Sequence, residues 1–131
     1  MGLIYLDSCL LIYTMERDSV FSAPALAAIG ADAEKRFAIS PLIKLECLVK
    51  PFKNGDIALQ HRYEAAFNHL VLLPMLDAIY VQAAQLRARF GLKTPDALHL
   101  ACAQHHGCES LWTNDERLAQ AGRGLVRNIL T

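Results

Sequence analysis

The sequence predicts an α/β fold of three layers, with a central, mainly parallel β-sheet flanked by helices. LIYL at 3–6 is a short continuous apolar run with the composition of a strand covered on both faces, and short runs such as SLWT at 110–113 also read as strands. Longer amphipathic or Ala-rich segments, opened by Pro, Ser, Thr or Asp, alternate with those runs. Strands that alternate with helices build parallel sheets sandwiched between helix layers.

Residues 3–6 form the first strand, which ends at Asp7-Ser8, and a helix follows over 9–17. Pro24 starts a second, Ala-rich helix over 24–35, and 36–39 is the second strand. Ser40-Pro41 pairs an N-cap with a proline and opens a helix at 42–50, which Pro51 closes, leaving 52–55 as a loop. An amphipathic helix over 56–69 leads into a strand at 70–75. Asp77 caps a long helix through Arg89, stopped by Gly91. Thr94 as N-cap and Pro95 behind it open another helix, ended by Gly107. Its apolar residues go almost all round the wheel, so it is expected to be buried. After the strand at 110–113, Asn114-Asp115-Glu116 starts a short helix, and 124–130 supplies the last strand. With no internal repeat and no linker, residues 1–131 are expected to form a single domain.

Composition narrows the function classes. Lys plus Arg equals Asp plus Glu at 13 each, so no global charge advertises a nucleic-acid binder, although a local basic rim would suffice. The apolar N-terminus lacks a basic n-region and is split by Asp7, which argues against a signal segment. Leu6 stands where a myristoylation motif wants Ser or Thr. No run reaches the length of a membrane span, and a cytoplasmic protein with its four cysteines reduced is expected.

Four acids stand out. Asp7 directly follows the first strand and Asp115 follows the strand at 110–113. Asp96 lies in the first turn of the buried helix, at the positive end of its dipole. All three belong to the carboxyl edge of the sheet, where such folds bind ligands. Glu46 falls on the apolar arc drawn by Leu42, Ile43, Leu45 and Val49, where an acid is costly unless paired or bound to a metal. Taken singly, each acid has an ordinary structural explanation as a cap, a dipole partner or a salt-bridged group. Four acids converging on one edge stay ionised around a cation, and all-oxygen ligands select hard ions, Mg²⁺ or Mn²⁺. Such a site suits phosphodiester hydrolysis.

At this point the residues resemble the PIN domain family, and most closely the VapC-type toxins of VapBC toxin–antitoxin pairs. The matching pieces, in the family's order and spanning nearly the whole chain, are LIYLDSCLLIY, SPLIKLECL, TPDALHLACA and LWTNDERL. The resemblance implies an Mg²⁺- or Mn²⁺-dependent ribonuclease in which Asp7, Glu46, Asp96 and Asp115 are both metal ligands and catalytic residues. Ser8, Thr113 and Asn114 would support them or face substrate. It also implies an RNA substrate, a cognate antitoxin protein that blocks the site, and a homodimer. The family usually has Asn where Cys9 stands, and a thiol does not replace an amide's hydrogen bonds. Lys44, Lys50, Lys53, Arg87, Arg89, Lys93 and Arg117 are available for phosphate contacts.

Other readings fit less well. A haloacid dehalogenase-type phosphatase needs a second Asp where Cys9 stands, and a receiver domain needs an Asp where the strand at 70–75 offers Pro74 and Met75. Cys102, His105, His106 and Cys108 resemble zinc ligands, but one crowded cluster lacks two separated ligand pairs. The alternative of another class is a non-catalytic PIN-like module that binds RNA or a protein partner.

Overall fold

A computed structural model describes residues 2–31 and 34–130. Among them the elements run β1 (Leu3–Leu6), α1 (Ser8–Glu16), α2 (Ser22–Gly30), β2 (Arg36–Ile39), α3 (Pro41–Asn54), α4 (Ile57–Phe67), β3 (Val71–Leu72), α5 (Asp77–Phe90), α6 (Thr94–His105), β4 (Ser110–Thr113), α7 (Glu116–Ala121) and β5 (Val126–Asn128). The strands form one parallel sheet in the order β3-β2-β1-β4-β5. The chain therefore leaves β1 in one direction through β2 and β3, then returns to its other side for β4 and β5. The boundary between β1 and β4 is a topological switch point, and a crevice opens there at the carboxyl ends of the strands.

Residues of β1 alternate between the two helix layers. Tyr5 meets His99 of α6 on one face, while Leu6 lines a groove with α1, α2 and α4 on the other. Ile4, Tyr5 and Leu6 are all buried, as are all four residues of β4. Within β4, Trp112 meets Phe37 edge-on at 5.5 Å between ring centroids. In α6, Ala97 through Ala103 are buried without a break, so the helix is enclosed as its all-round apolar pattern predicts. Gly107, at φ 65°, lies one residue past the α6 C-cap, in the left-handed region that favours glycine.

The differences from the sequence reading have local causes. Pro51 does not close α3, which continues to Asn54. Near a helix end Pro51 forfeits one backbone bond, and Gly55 at φ 64° supplies the stop, with the Asp56 N–H reaching Pro51 O at 2.9 Å. The strand expected over 70–75 pairs only at Val71–Leu72. Leu73 N adds one bond to Ile39 O at 2.8 Å before Pro74, which has no N–H, ends the pairing. The last strand is limited to Val126–Asn128, because Asn128 already pairs with the final residue of β4. The second helix starts at Ser22 and ends at Gly30. The part of its expected range at Asp32 and Ala33 lies outside the described residues. Thr94 and Asp77 are first helical residues rather than N-caps, since Lys93 and Leu76 take the cap positions.

Candidate active site

Asp7 leaves β1 as the N-cap of α1, and Oδ1 accepts the Ser8 N–H at 2.8 Å. Its Oδ2 accepts the Thr113 hydroxyl proton at 2.7 Å. Thr113 is fully buried at the end of β4, and the same hydroxyl oxygen accepts the Asp115 N–H at 3.0 Å. One threonine thus joins the ends of the two strands that flank the switch point. Asp115 caps α7, with Oδ1 accepting from Arg117 N at 2.9 Å and Leu118 N at 3.3 Å.

Glu46 sits on the second turn of α3, its side chain 25% exposed. The arc that singled it out is only partly correct. Ile43, Cys47 and Pro51 form the buried stripe, whereas Leu45 and Val49 are 59% and 55% exposed. Glu46 adjoins that stripe on its inward side and has a partner the sequence reading passed over. His99 Nε2 lies 2.7 Å from Glu46 Oε1, and His99 Nδ1 lies 2.7 Å from the Tyr5 hydroxyl. The three-residue spacing of Asp96 and His99 puts both on one face of α6 and so brings His99 to the site, but nothing in it pairs His99 with Glu46.

Asp96, half-buried at the start of α6, titrates above the usual carboxylate range. Burial is the largest cause, followed by the charges of Asp115 and Asp7; Glu46 adds to the rise and His99 opposes it. All four acids therefore share one electrostatic environment, in which burial and neighbouring negative charge disfavour ionisation of Asp96. Ligand atoms of Asp7, Glu46 and His99 lie within 4.8 Å of one another, while Asp96 and Asp115 do not join that tight group. Among the described residues no Lys or Arg forms an ion pair with any of the four. Two unit charges 4.8 Å apart repel by about 3.5 kcal/mol at an effective dielectric of about 20. The carboxylate donors and this uncompensated negative charge fit a hard divalent cation.

Ser8 contributes its backbone N–H to Asp7, and Asn114 donates its amide N–H to the Tyr13 hydroxyl at 3.1 Å, tying the β4 end to α1. The Cys9 thiol is pushed up to about 12, by burial first and then by Asp7, with the Asn114 backbone opposing the rise. It stays a protonated thiol. The strand-end loop is held by the Asp7–Thr113–Asp115 contacts and does not depend on an amide at position 9. The Cys102, His105, His106 and Cys108 group does not converge: both cysteines are buried, and His106 Nε2 meets Pro74 O at 2.8 Å. Among the described residues, Asp7, Glu46 and His99 are the one trio of possible ligands close enough to share an ion.

The fold has close counterparts among solved structures. A toxin–antitoxin complex from Klebsiella pneumoniae is similar at a TM-score of 0.79 and 25% identity, over 96% of this chain and 97% of that one. VapC20 from Mycobacterium tuberculosis, a sarcin–ricin loop cleaving toxin, is similar at 0.78 and 13% identity, over 91% and 95%. VapBC2 from Rickettsia felis, bound to a DNA fragment from its promoter, is similar at 0.77 and 14% identity, over 96% and 98%. At 13% and 14% the likeness is one of fold. Comparison with curated proteins finds no significant match by sequence. The family model described as the PIN domain matches residues 4–124, nearly the whole chain, and the protein belongs to the PIN domain family.

Proposed function

We propose that this chain is a single-domain, metal-dependent endoribonuclease and the toxin of a type II toxin–antitoxin pair. The observation that carries the reading is four acids sharing one electrostatic environment beside the β1/β4 switch point, none of them ion-paired to a Lys or Arg among the described residues. Asp7, Glu46, Asp96 and Asp115 are the residues to hold Mg²⁺ or Mn²⁺. A bound divalent ion there would supply Lewis acidity, a more acidic water and neutralisation of phosphate charge. Asp7 is oriented by the Ser8 N–H and the Thr113 hydroxyl, so its carboxylate is set before any ligand arrives. With Asp115 Oδ1 committed to α7, Oδ2 is the oxygen left for a ligand. Lys93, the cap of α6 three residues before Asp96, and Arg117, two residues after Asp115, are exposed beside the acids and suit RNA phosphates.

Two surfaces support the proposed partners. Leu11, Met15, Leu26, Ile29, Ala66 and Leu70 line an apolar groove of about 500 Å³ between α1, α2 and α4, and an apolar segment of the antitoxin is its proposed occupant. The likeness to VapBC complexes supports an antitoxin as partner. Leu45, Val49 and Phe52 form an exposed stripe at i, i+4 and i+7 on α3, suited to a second copy of this chain across a two-fold axis. Among the described residues no helix is long and apolar enough to cross a membrane.

The test is cleavage of mixed structured and unstructured RNAs by purified wild type and Asp7→Asn, each with Mn²⁺, Mg²⁺ or EDTA. Metal-dependent cuts by the wild type, lost in Asp7→Asn and in EDTA, are the expected result. Full activity in Asp7→Asn, free of contaminating nuclease, refutes the mechanism. RNA or partner binding without cleavage under any condition favours a non-catalytic module.

A further inference from the structure

Ser40 occupies the N-cap position of α3, yet its hydroxyl makes no capping hydrogen bond. An N-cap serine ordinarily satisfies a backbone N–H of the first turn. Here the hydroxyl is 2.7 Å from the Tyr5 hydroxyl instead. The Tyr5 hydroxyl is in turn 2.7 Å from His99 Nδ1, and His99 Nε2 is 2.7 Å from Glu46 Oε1. Ser40 and Tyr5 are fully buried and His99 nearly so. The chain of contacts starts at the cap of α3, crosses the central strand β1, passes through α6 and returns to Glu46 on α3.

The geometry points to His99 as the positioning residue for Glu46: the buried Ser40–Tyr5–His99 chain fixes which way the Glu46 carboxylate presents its oxygens to a divalent cation, and His99 is not itself a ligand. This inference rests on the metal-site reading above. A carboxylate only accepts hydrogen bonds, so the 2.7 Å contact requires a hydrogen on His99 Nε2. A nitrogen that carries a hydrogen has no lone pair to give a metal. The other ring nitrogen is taken by Tyr5, so neither nitrogen is free to ligate. Glu is among the side chains that lose most rotamer freedom when ordered. His99 fixes one carboxylate oxygen before the cation arrives, as outer partners of metal ligands do elsewhere.

The experiment uses the full chain and two readouts. The first is the ¹⁵N shifts and proton exchange of the His99 ring in metal-free protein. The second is the Mn²⁺ binding isotherm from the electron paramagnetic resonance of free Mn²⁺, for wild type, His99→Leu, His99→Gln and Tyr5→Phe. Expected are a slowly exchanging proton on His99 Nε2 and Mn²⁺ binding about 10- to 100-fold weaker in His99→Leu. His99→Gln, which keeps an N–H donor on its side chain, recovers most of the affinity, and Tyr5→Phe falls between wild type and His99→Leu. If His99→Leu does not fold, His99→Gln, Tyr5→Phe and the ring shifts still decide. No proton on Nε2, or wild-type affinity in either His99→Leu or Tyr5→Phe, overturns the positioning role while the metal site stands. Affinity in His99→Gln as poor as in His99→Leu makes the ring nitrogen a ligand and also overturns it. An Nε2 proton in a wild type that binds no Mn²⁺ refutes the metal-site reading, and the positioning role falls with it.

Discussion

Glu46→Gln is expected to make the metal-free protein more stable while removing much of its response to metal. Ligand atoms of Asp7 and Glu46 lie within 4.8 Å, which at an effective dielectric of about 20 is about 3.5 kcal/mol of repulsion between the two charges. Neutralising Glu46 removes that repulsion. Gln retains an oxygen to accept from His99 Nε2, but a bond to a neutral acceptor is about 1 kcal/mol weaker than one to a carboxylate. The balance, reduced a little for the partial exposure of Glu46, favours the variant by about 2 kcal/mol. For a domain of this size that is a rise in Tm of roughly 7 °C in EDTA. Saturating Mn²⁺ reverses the order, because a ligand at 100 times its Kd adds about 2.7 kcal/mol to the wild type. Calorimetric melts of both proteins, with EDTA and with Mn²⁺, read both effects. A variant that melts below the wild type in EDTA refutes the claim that the acids repel one another in the metal-free fold.

Two further outcomes concern the α1 side of the molecule. Burial alone would raise the Glu16 carboxyl, but hydrogen bonds from Lys50 and Tyr63 outweigh it, and the group titrates below its ordinary value. Its contribution to stability is therefore complete above the unfolded Glu value of about 4.3 and is lost as the pH falls through the folded value. Thermal melts across that acid range should show a loss in wild type that Glu16→Gln lacks; equal losses in the two refute the assignment. Arg17 closes α1 at φ 57°, a left-handed conformation that favours glycine. Arg17→Gly should stabilise the fold by about 0.5–1 kcal/mol despite losing the 3.3 Å contact from Arg17 Nε to Thr14 O. Denaturant melts measure it, and a destabilised variant counts against the reasoning.

Much of this architecture was legible because it is local. Strands β1, β2 and β4 were bounded correctly, since each is a short run built around buried apolar residues and ended by a capping residue. The edge strands β3 and β5 were drawn too long, because an edge strand extends only as far as its neighbour offers partners. Caps slipped by one residue at Thr94 and Asp77, where sequence cannot separate a cap from a first turn. Asp7, Asp96 and Asp115 could be placed from strand ends and a helix start. Glu46 was singled out from an arc that included Leu45 and Val49, both of which face outward. His99 was missed as its partner because that contact joins α3 to α6 across 53 residues, and no local pattern encodes such a pair.

The enclosure of α6 bears on how such chains are to be compared. With Ala97 through Ala103 buried in sequence, that stretch of the helix has no outer side on which substitutions are free. Small side chains recur there because neighbouring elements press against every face, whatever chemistry the molecule performs. A shared run of Ala and Leu in this stretch therefore testifies to packing alone. The proposed chemistry draws instead on Asp96 and His99, the two polar side chains of the stretch 96–103. A relative that keeps the small residues but has lost either of those two has inherited the frame without one of the groups proposed to serve the metal site.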